Sequence, residues 1–257
     1  MHINHILDSM YGRIPLYHQN FPVILFWSQK SGCSSLAKWF FFQLNLLEEA
    51  LKLHPSIHYY RENVYFNNDH TNKLINALIT KEKPTIKLVR NPYTRTVSSF
   101  LHLVHYHDDS MFKNLWDKLN KHNKGVSFKQ FLYEIQKIGT DLPSINGHIA
   151  KQYMAGEEIW VQEIIKLENL SQSIANLENK YNMIKSPINT ISKSLDHKSS
   201  FVNNTFNEKN IPDKLFSQQD VLNRNLPKYE KFYDAETKQL CYEIFKEDFI
   251  KYNYSTV

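Results

Sequence analysis

The loop Gln29–Ser35 holds the residues of this chain best suited to bind an anion. It reads Gln-Lys-Ser-Gly-Cys-Ser-Ser and follows an apolar run, Val23–Trp27, that predicts a buried strand. A helix is predicted from Leu36 onward, and its N-terminus would offer unpaired N–H groups and partial positive charge to a phosphate or sulfate. Lys30 adds a flexible cation, and Gly32 lets the backbone approach a ligand closely. The serines of the loop also predict a cap for the helix.

A second basic segment follows a second apolar run, Thr85–Arg90. Arg90 stands at the end of this predicted strand, where its planar guanidinium suits two phosphate oxygens. Ser98 lies two turns into a helix predicted over Tyr93–His105, so that Arg90 and Ser98 can contact one phosphate from two sides. Because the carboxyl ends of parallel strands lie at one edge of a sheet, we expect Lys30 and Arg90 to meet in one cleft.

The order of elements predicts an α/β fold, a parallel β-sheet flanked by helices, in a single domain over residues 1–257. The segment 106–160 shows no strand pattern, and 185–215, rich in Ser, Asn and Lys, predicts a long loop that orders on binding. The remaining apolar patterns predict a third strand over 159–167 and helices over 36–52, 71–81, 128–138, 169–181 and 234–249.

The composition indicates a soluble globular protein. Of 257 residues, 42% are hydrophobic, which is enough for a substantial core. The net charge of +5 suits an anionic ligand, but it is too mild to indicate nucleic acid. Two cysteines exclude a disulfide framework. Without a membrane-spanning segment or signal-peptide core, we expect no membrane insertion and a cytoplasmic location, and a lumenal domain of Golgi type with a missing anchor stays open.

Both basic segments resemble the nucleotide-binding segments of one enzyme family. Lys30–Ser35 resembles the 5′-phosphosulfate loop of sulfotransferases, which use 3′-phosphoadenosine 5′-phosphosulfate (PAPS). Leu88–Phe100 is similar to their 3′-phosphate segment, which starts Arg-x-Pro and has a serine eight residues after the arginine. Lys166–Leu170 and Tyr229–Tyr252 are similar to segments of the carbohydrate sulfotransferase branch. The resemblance spans about residues 22–254.

The resemblance implies a P-loop-like three-layer fold whose nucleotide-binding segments lie at about 22–53 and 84–105. It implies transfer of a sulfuryl group from PAPS to a hydroxyl of an acceptor, with 3′-phosphoadenosine 5′-phosphate as product and no metal. The resemblance favours a carbohydrate acceptor, a glycan or glycolipid, while a small phenol and a peptide tyrosine stay open from the residues. Lys30 would stabilise charge on the bridging oxygen as the S–O bond breaks. The residues implied to bind PAPS are Lys30, Ser31, Gly32, Cys33, Ser34 and Ser35 at the 5′-phosphosulfate, and Arg90 and Ser98 at the 3′-phosphate.

His148 is the expected general base. It lies in Asn146–Gln152, which is similar to a histidine-containing acceptor loop of the carbohydrate branch, and its ordinary pKa suits proton transfer near neutrality. A loop at His197–Ser200 is expected to fold over the nucleotide. Cys33 is interpreted as a small buried residue, since no arginine follows it at the spacing of a phosphatase loop. Competing candidates for the base are His58, Glu62, His102, His105 and His107.

Two other classes of protein stay open at the level of sequence. A P-loop kinase uses the same strand–loop–helix arrangement, but the pattern Gly-x-x-x-x-Gly-Lys-Ser/Thr is absent, and here the lysine precedes the glycine. A non-catalytic protein that binds polyanions would carry lysines and arginines over one face, whereas the distinctive residues of this chain fall at predicted strand ends.

Overall fold

A computed structural model describes residues 10, 12–66, 68–122, 124–142, 144–193, 209–223 and 226–256. In these residues the strands are β1 (Ile24–Phe26), β2 (Thr85–Val89), β3 (Val126–Ser127), β4 (Glu163–Lys166) and β5 (Leu215–Phe216). The α-helices are α1 (Cys33–Gln43), α2 (Leu47–Leu53), α3 (Ile57–Tyr60), α4 (Asn68–Ile79), α5 (Pro92–His105), α6 (Ser110–Leu119), α7 (Phe128–Ile138), α8 (Leu170–Lys180), α9 (Ile188–Ile191), α10 (Gln218–Leu222), α11 (Ala235–Ile244) and α12 (Lys246–Lys251). A π-helical segment covers Arg61–Tyr65, and 3-10 turns cover Glu157–Ile159, Leu167–Asn169, Ile211–Asp213 and Tyr229–Phe232.

The chain divides into two compact units. The first unit comprises the described residues of Met1–Arg90 and Met154–Ser194, and the second comprises those of Asn91–Tyr153 and Leu195–Val257. The single domain expected over residues 1–257 stays a prediction.

A parallel sheet in the order β1-β2-β4 forms the centre of the first unit. Ile24 pairs with Thr85, and Ile86 pairs with Glu163, all in parallel register. Every residue of β1 and β2 is buried, which suits strands that are covered on both faces. The expected α/β class with a parallel sheet flanked by helices is therefore confirmed.

Helices cover both faces of this sheet. In β1, Leu25 packs in one apolar cluster with Trp39 of α1 and Ile174 of α8. Its neighbour Phe26 packs in a second cluster with Leu74 of α4. Since successive side chains of a strand point to opposite faces, α1 and α8 lie on one face and α4 on the other.

The turn into α1 depends on Gly32. This residue has φ of +90° and occupies the N-cap position of the helix. A Cβ atom on Gly32 would lie 2.6 Å from Leu167 Cδ1 and 3.2 Å from Leu88 Cδ2, so the side chains after β4 and within β2 occupy that space. The glycine is thus required by both its backbone conformation and its packing against the sheet.

The helix predicted over 36–52 is two helices. Asn45, at φ of +59°, interrupts it between α1 and α2, and the Leu46 N–H donates to Phe41 O at 2.8 Å. Asparagine adopts the left-handed conformation more readily than other residues with a side chain, which explains the break. Likewise, the helix predicted over 234–249 is divided into α11 and α12 at Phe245.

Other elements begin or end at residues that differ from the predicted ones, because local turns compete with the predicted strands and helices. The third strand was predicted over 159–167, but β4 is limited to Glu163–Lys166 because a 3-10 turn occupies Glu157–Ile159. The short strand β3 and helix α6 fall in 106–160, where no strand was predicted. In the segment 185–215, helix α9 and a 3-10 turn are present. By contrast, α7 begins and ends where it was predicted, since a capping box at Ser127 and Gln130 fixes its start.

An aromatic core holds the second unit together. Phe100 of α5 contacts Phe131 of α7 and Phe216 of β5, with ring centroids 5.5 and 5.7 Å apart. Strand β5 pairs with β3 in antiparallel register. This core fixes α5, the helix that carries Ser98 and that contacts the loop of His148.

Replacing Gly32 by alanine should destabilise the protein more than the same change at Gly156. Both glycines have positive φ, so each variant loses about 1–2 kcal/mol for a side chain in the left-handed region. Of these two glycines, Gly32 alone has side chains of the described residues within 4 Å of the added Cβ, which should cost about 1–3 kcal/mol more. Urea unfolding of both variants measures the difference. Equal losses would show that Leu167 and Leu88 move aside.

Candidate active site

The loop between β1 and α1 turns through two left-handed residues. Lys30 has φ of +64° and Gly32 has φ of +90°. Within the loop, the buried hydroxyls of Ser28 and Ser31 share a hydrogen bond of 2.9 Å, and the Ser31 N–H donates to Ser28 O at 3.3 Å. These bonds hold the loop in a compact turn, so that the N-terminus of α1 lies next to the carboxyl end of β1.

The N-terminus of α1 has the properties of an anion site. The N-cap residue, Gly32, has no side chain to cap the helix, and the first turn contains no acidic residue. The predicted serine cap is therefore wrong: Gly32 is the N-cap, and Ser34 and Ser35 are inside the first turn. The first N–H groups of an α-helix have no intrahelical acceptor, and the positive end of the helix dipole adds to their attraction for an anion.

Arg90 joins the second predicted segment to this loop. Its Nη1 donates a hydrogen bond to the carbonyl oxygen of Lys30 at 3.1 Å. Both side chains are half-buried. The parallel pairing of β1 with β2 brings the ends of the two strands together, and with them two cations at one edge of the sheet.

The first turn of α1 also contacts His58, the second residue of α3. The ring Nε2 of His58 shares a hydrogen bond of 2.8 Å with Ser34 Oγ and lies 3.8 Å from Cys33 Sγ. Burial raises the pKa of the Cys33 thiol, but the hydrogen bond from His58 and the positive charges of His58, Arg61 and Lys30 lower it to about 6. Cys33 is half-buried, so its interpretation as a small buried residue is corrected.

Arg61 is a buried cation that the sequence did not reveal. Only 4% of its surface is exposed, and its guanidinium carbon lies 4.1 Å from the ring centroid of Trp27, the residue that follows β1. Its Nη2 pairs with the Glu62 carboxylate. Among the described residues, its Nε and Nη1 have no hydrogen-bond partner. No motif surrounds Arg61 in the chain, and its role depends on a π-helical turn that the apolar pattern does not predict.

The second unit contains Ser98 and His148. Ser98 lies in the second turn of α5 and is 7% exposed. The loop of His148 is bound to the same helix, because Ser99 Oγ donates to His148 O at 2.6 Å and Arg95 Nη2 donates to Ala150 O at 2.7 Å. Helix α5 therefore fixes the backbone at the expected base and two residues beyond it.

Asn146 orients the imidazole of His148. Its Oδ1 accepts the backbone N–H of His148 at 2.8 Å and lies 2.9 Å from the ring Nδ1. Because an amide oxygen can only accept, Nδ1 must carry the proton, and the neutral ring then has its lone pair on Nε2. The ring stacks on His102 with centroids 4.5 Å apart, which fixes its plane. This is a tautomer that can accept a proton at Nε2.

The other candidates for the base occupy different environments. His58 contacts the anion loop, and the Glu62 carboxylate is paired with Arg61. His105 and His107 lie at and beyond the end of α5, where His107 Nδ1 donates to Val104 O at 3.1 Å. The loop expected at His197–Ser200 lies outside the described residues.

The fold and this loop define an α/β protein in which the N-terminus of a helix follows the first strand of a parallel sheet. The chain belongs to the sulfotransferase family, whose profile matches residues 22–255. It is therefore a transferase of sulfuryl groups, as the resemblance implied. The chain has no significant match among curated proteins or among solved structures. In the part of the chain that the structure describes, no helix is both long and apolar enough to span a bilayer.

Proposed function

We propose that this sulfotransferase transfers the sulfuryl group of PAPS to a hydroxyl of a carbohydrate acceptor, a glycan or glycolipid. The uncapped N-terminus of α1, with Lys30 in the turn before it, is the observation that carries the proposal. A sulfuryl donor needs a site that binds its anionic oxygens without an opposing carboxylate, and the first turn of α1 is free of acidic residues. The acceptor class rests on the resemblance of Lys166–Leu170 and Tyr229–Tyr252 to the carbohydrate branch.

The two segments would hold opposite ends of the nucleotide. The Lys30 ammonium and the backbone N–H groups of the loop bind the 5′-phosphosulfate, and Arg90 with Ser98 binds the 3′-phosphate. Arg90 also donates a hydrogen bond to the Lys30 carbonyl. The same guanidinium can therefore couple the position of the loop that holds the 5′-phosphosulfate to binding of the 3′-phosphate. The loop residues assigned to the donor are Ser31, Gly32, Cys33, Ser34 and Ser35.

The reaction is an in-line displacement at sulfur. The acceptor oxygen attacks the sulfur, the bond from sulfur to the bridging phosphate oxygen breaks, and 3′-phosphoadenosine 5′-phosphate leaves. Lys30 stabilises the negative charge that develops on that bridging oxygen. His148 Nε2 accepts the hydroxyl proton, and Asn146 keeps the ring in the required tautomer. Positioning and charge stabilisation supply the rate, and the scheme needs no metal. We place this activity in the cytoplasm, with no nucleic acid as partner.

Calorimetric titration tests the nucleotide assignment. We expect 3′-phosphoadenosine 5′-phosphate to bind more tightly than ADP or ATP, because only the first carries a 3′-phosphate. Arg90→Ala should weaken that binding by about 10- to 100-fold, the value of a charged hydrogen-bond partner, while ADP binding changes less. Equal affinity for ADP, or an Arg90→Ala variant that binds like the native chain, contradicts the assignment. Magnesium-dependent turnover of ATP would favour the kinase.

Lys30→Ala should reduce sulfuryl transfer by about 100- to 1,000-fold, because it removes the positive charge that stabilises the negative charge developing on the leaving oxygen. Transfer from radiolabelled PAPS to a panel of neutral and acidic oligosaccharides measures the effect. Lys81→Ala is the matched control, because Lys81 is an exposed lysine that also has positive φ, +52° against +64° at Lys30. The backbone change is then equal in both variants. A Lys30→Ala variant as active as Lys81→Ala removes Lys30 from the mechanism.

His148→Gln should lower kcat by about 100- to 10,000-fold, the range for loss of a general base, with little change in affinity for 3′-phosphoadenosine 5′-phosphate. His122→Gln, at an exposed histidine of the same unit, should retain full turnover. Parallel measurement of His58→Gln separates the two candidates. If His58→Gln loses turnover and His148→Gln does not, His58 is the base.

A further inference from the structure

We propose that Cys33 is a modification site, whose thiolate attacks a low-molecular-weight disulfide and forms a mixed disulfide inside the anion-binding loop. The reactivity follows from the contacts of the thiol alone. Its effect on catalysis rests on the proposed function, because only then does the adduct occupy the place of the sulfuryl donor.

The position of Cys33 favours the thiolate. It is the first residue of α1, an 11-residue helix without a side-chain cap, so the partial positive charge of the helix N-terminus acts directly on its sulfur. His58 Nε2 lies 3.8 Å from Sγ and can donate a hydrogen bond to it. Because Cys33 as a residue is only half-buried, a small reagent has a route to it.

Arg61 supplies a second and independent reason for an anion at this point. Its guanidinium is buried, and Nε and Nη1 have no hydrogen-bond partner within the described chain. Glu62, the ion-pair partner of Arg61 among the described residues, has a side chain that is 56% exposed, so water weakens that pair. A buried cation with unsatisfied donors is costly unless an anion lies nearby. The charges of His58, Arg61 and Lys30 all act on the Cys33 thiol in the same direction.

Cys241 provides a contrast inside the same molecule. It is fully buried, and its sulfur contacts Tyr233 Oη and Thr96 Oγ1, each at 3.5 Å. Burial raises the pKa of the Cys241 thiol to about 11, so it stays protonated near neutrality. The chain has only these two cysteines, and their surroundings shift the pKa of the two thiols in opposite directions.

The reaction balances without a further oxidant. The Cys33 thiolate displaces one sulfur of a disulfide RSSR, which gives Cys33–S–S–R and releases the thiolate RS⁻. The group R would then stand at the N-terminus of α1 and exclude an anion from its first turn. Excess free thiol reverses the step by the same exchange.

Reaction of the native chain with oxidised glutathione tests this inference. Peptide mass spectrometry should find the adduct on Cys33 and not on Cys241. At pH 6 the Cys33 rate should exceed that of free cysteine by about tenfold, since a larger thiolate fraction outweighs the lower nucleophilicity of a less basic sulfur. A rate at pH 6 equal to that of free cysteine, or equal labelling of both cysteines in the folded chain, overturns the proposal.

Histidine variants test the cause of the reactivity. His58→Gln should slow the pH 6 reaction several-fold and move its midpoint to higher pH, because the donor to the thiolate is lost. His54→Gln is the matched control, since the ring of His54 stacks on Tyr59 with centroids 4.6 Å apart and its Nδ1 accepts the Ser56 N–H at 3.0 Å. The same rate in the two variants would contradict the role of His58. Comparison of Cys33 with Cys241 in the native chain needs no variant to fold.

Protection by 3′-phosphoadenosine 5′-phosphate distinguishes this proposal from the proposed function. If both are correct, a saturating concentration of the nucleotide slows labelling of Cys33. Fast labelling that the nucleotide does not change contradicts the donor site and leaves the thiol assignment supported. If Cys33 is labelled slowly in the absence of nucleotide while the chain binds the nucleotide tightly, the thiol assignment is overturned and the proposed function is not.

Discussion

The left-handed backbone at Gly32 determines where α1 begins, and the candidate anion site depends on that point. Leu88 from β2 and Leu167 after β4 fill the space where a side chain would be, so the turn is held by the sheet itself. Because the helix starts immediately after this turn, its first N–H groups remain at the carboxyl end of β1 and are not used by a cap. A displaced turn would move the helix N-terminus away from Lys30 and Arg90 together.

Positively charged residues around the loop before α1, at the carboxyl ends of β1 and β2, are arranged differently from Lys87 in the interior of the sheet. Lys87, in the middle of β2, is fully buried and is neutralised by the buried carboxylate of Glu157. Around the loop, by contrast, Nε and Nη1 of Arg61 have no hydrogen-bond partner in the described part of the chain, and no acidic residue enters the first turn of α1. The interior pair is consistent with a structural role. The loop retains an excess of positive charge that favours an anionic ligand, at some cost to stability without one.

Several features of the fold and site could be predicted from the sequence because they depend on local pattern. Continuous apolar runs identified β1 and β2, and loops after two parallel strands must share an edge, which is why Lys30 and Arg90 were expected to meet. The start of α1 was misjudged, since serines are common caps and only the packing of Gly32 shows that none is used. The break at Asn45 was missed because apolar residues continue through it.

The contribution of His58 and Arg61 could not be predicted for a different reason. Both reach the loop from a short helix and a π-helical turn, where neither a period of 3.6 residues nor a motif is present. His58 was one of several candidate histidines, and nothing in the sequence connected it with Ser34. The roles assigned to Ser98 and His148 remain predictions that rest on family resemblance and on the local geometry of α5.

Trp27 gives the loop an optical reporter. Its indole is 3% exposed, donates its N–H to Ile14 O at 2.8 Å and lies under the guanidinium of Arg61. The emission of an indole depends on the electric field across its ring, and here a fixed cation sits on one face. An anion that approaches Arg61 would alter that field, so intrinsic fluorescence can follow occupancy of this edge without a label.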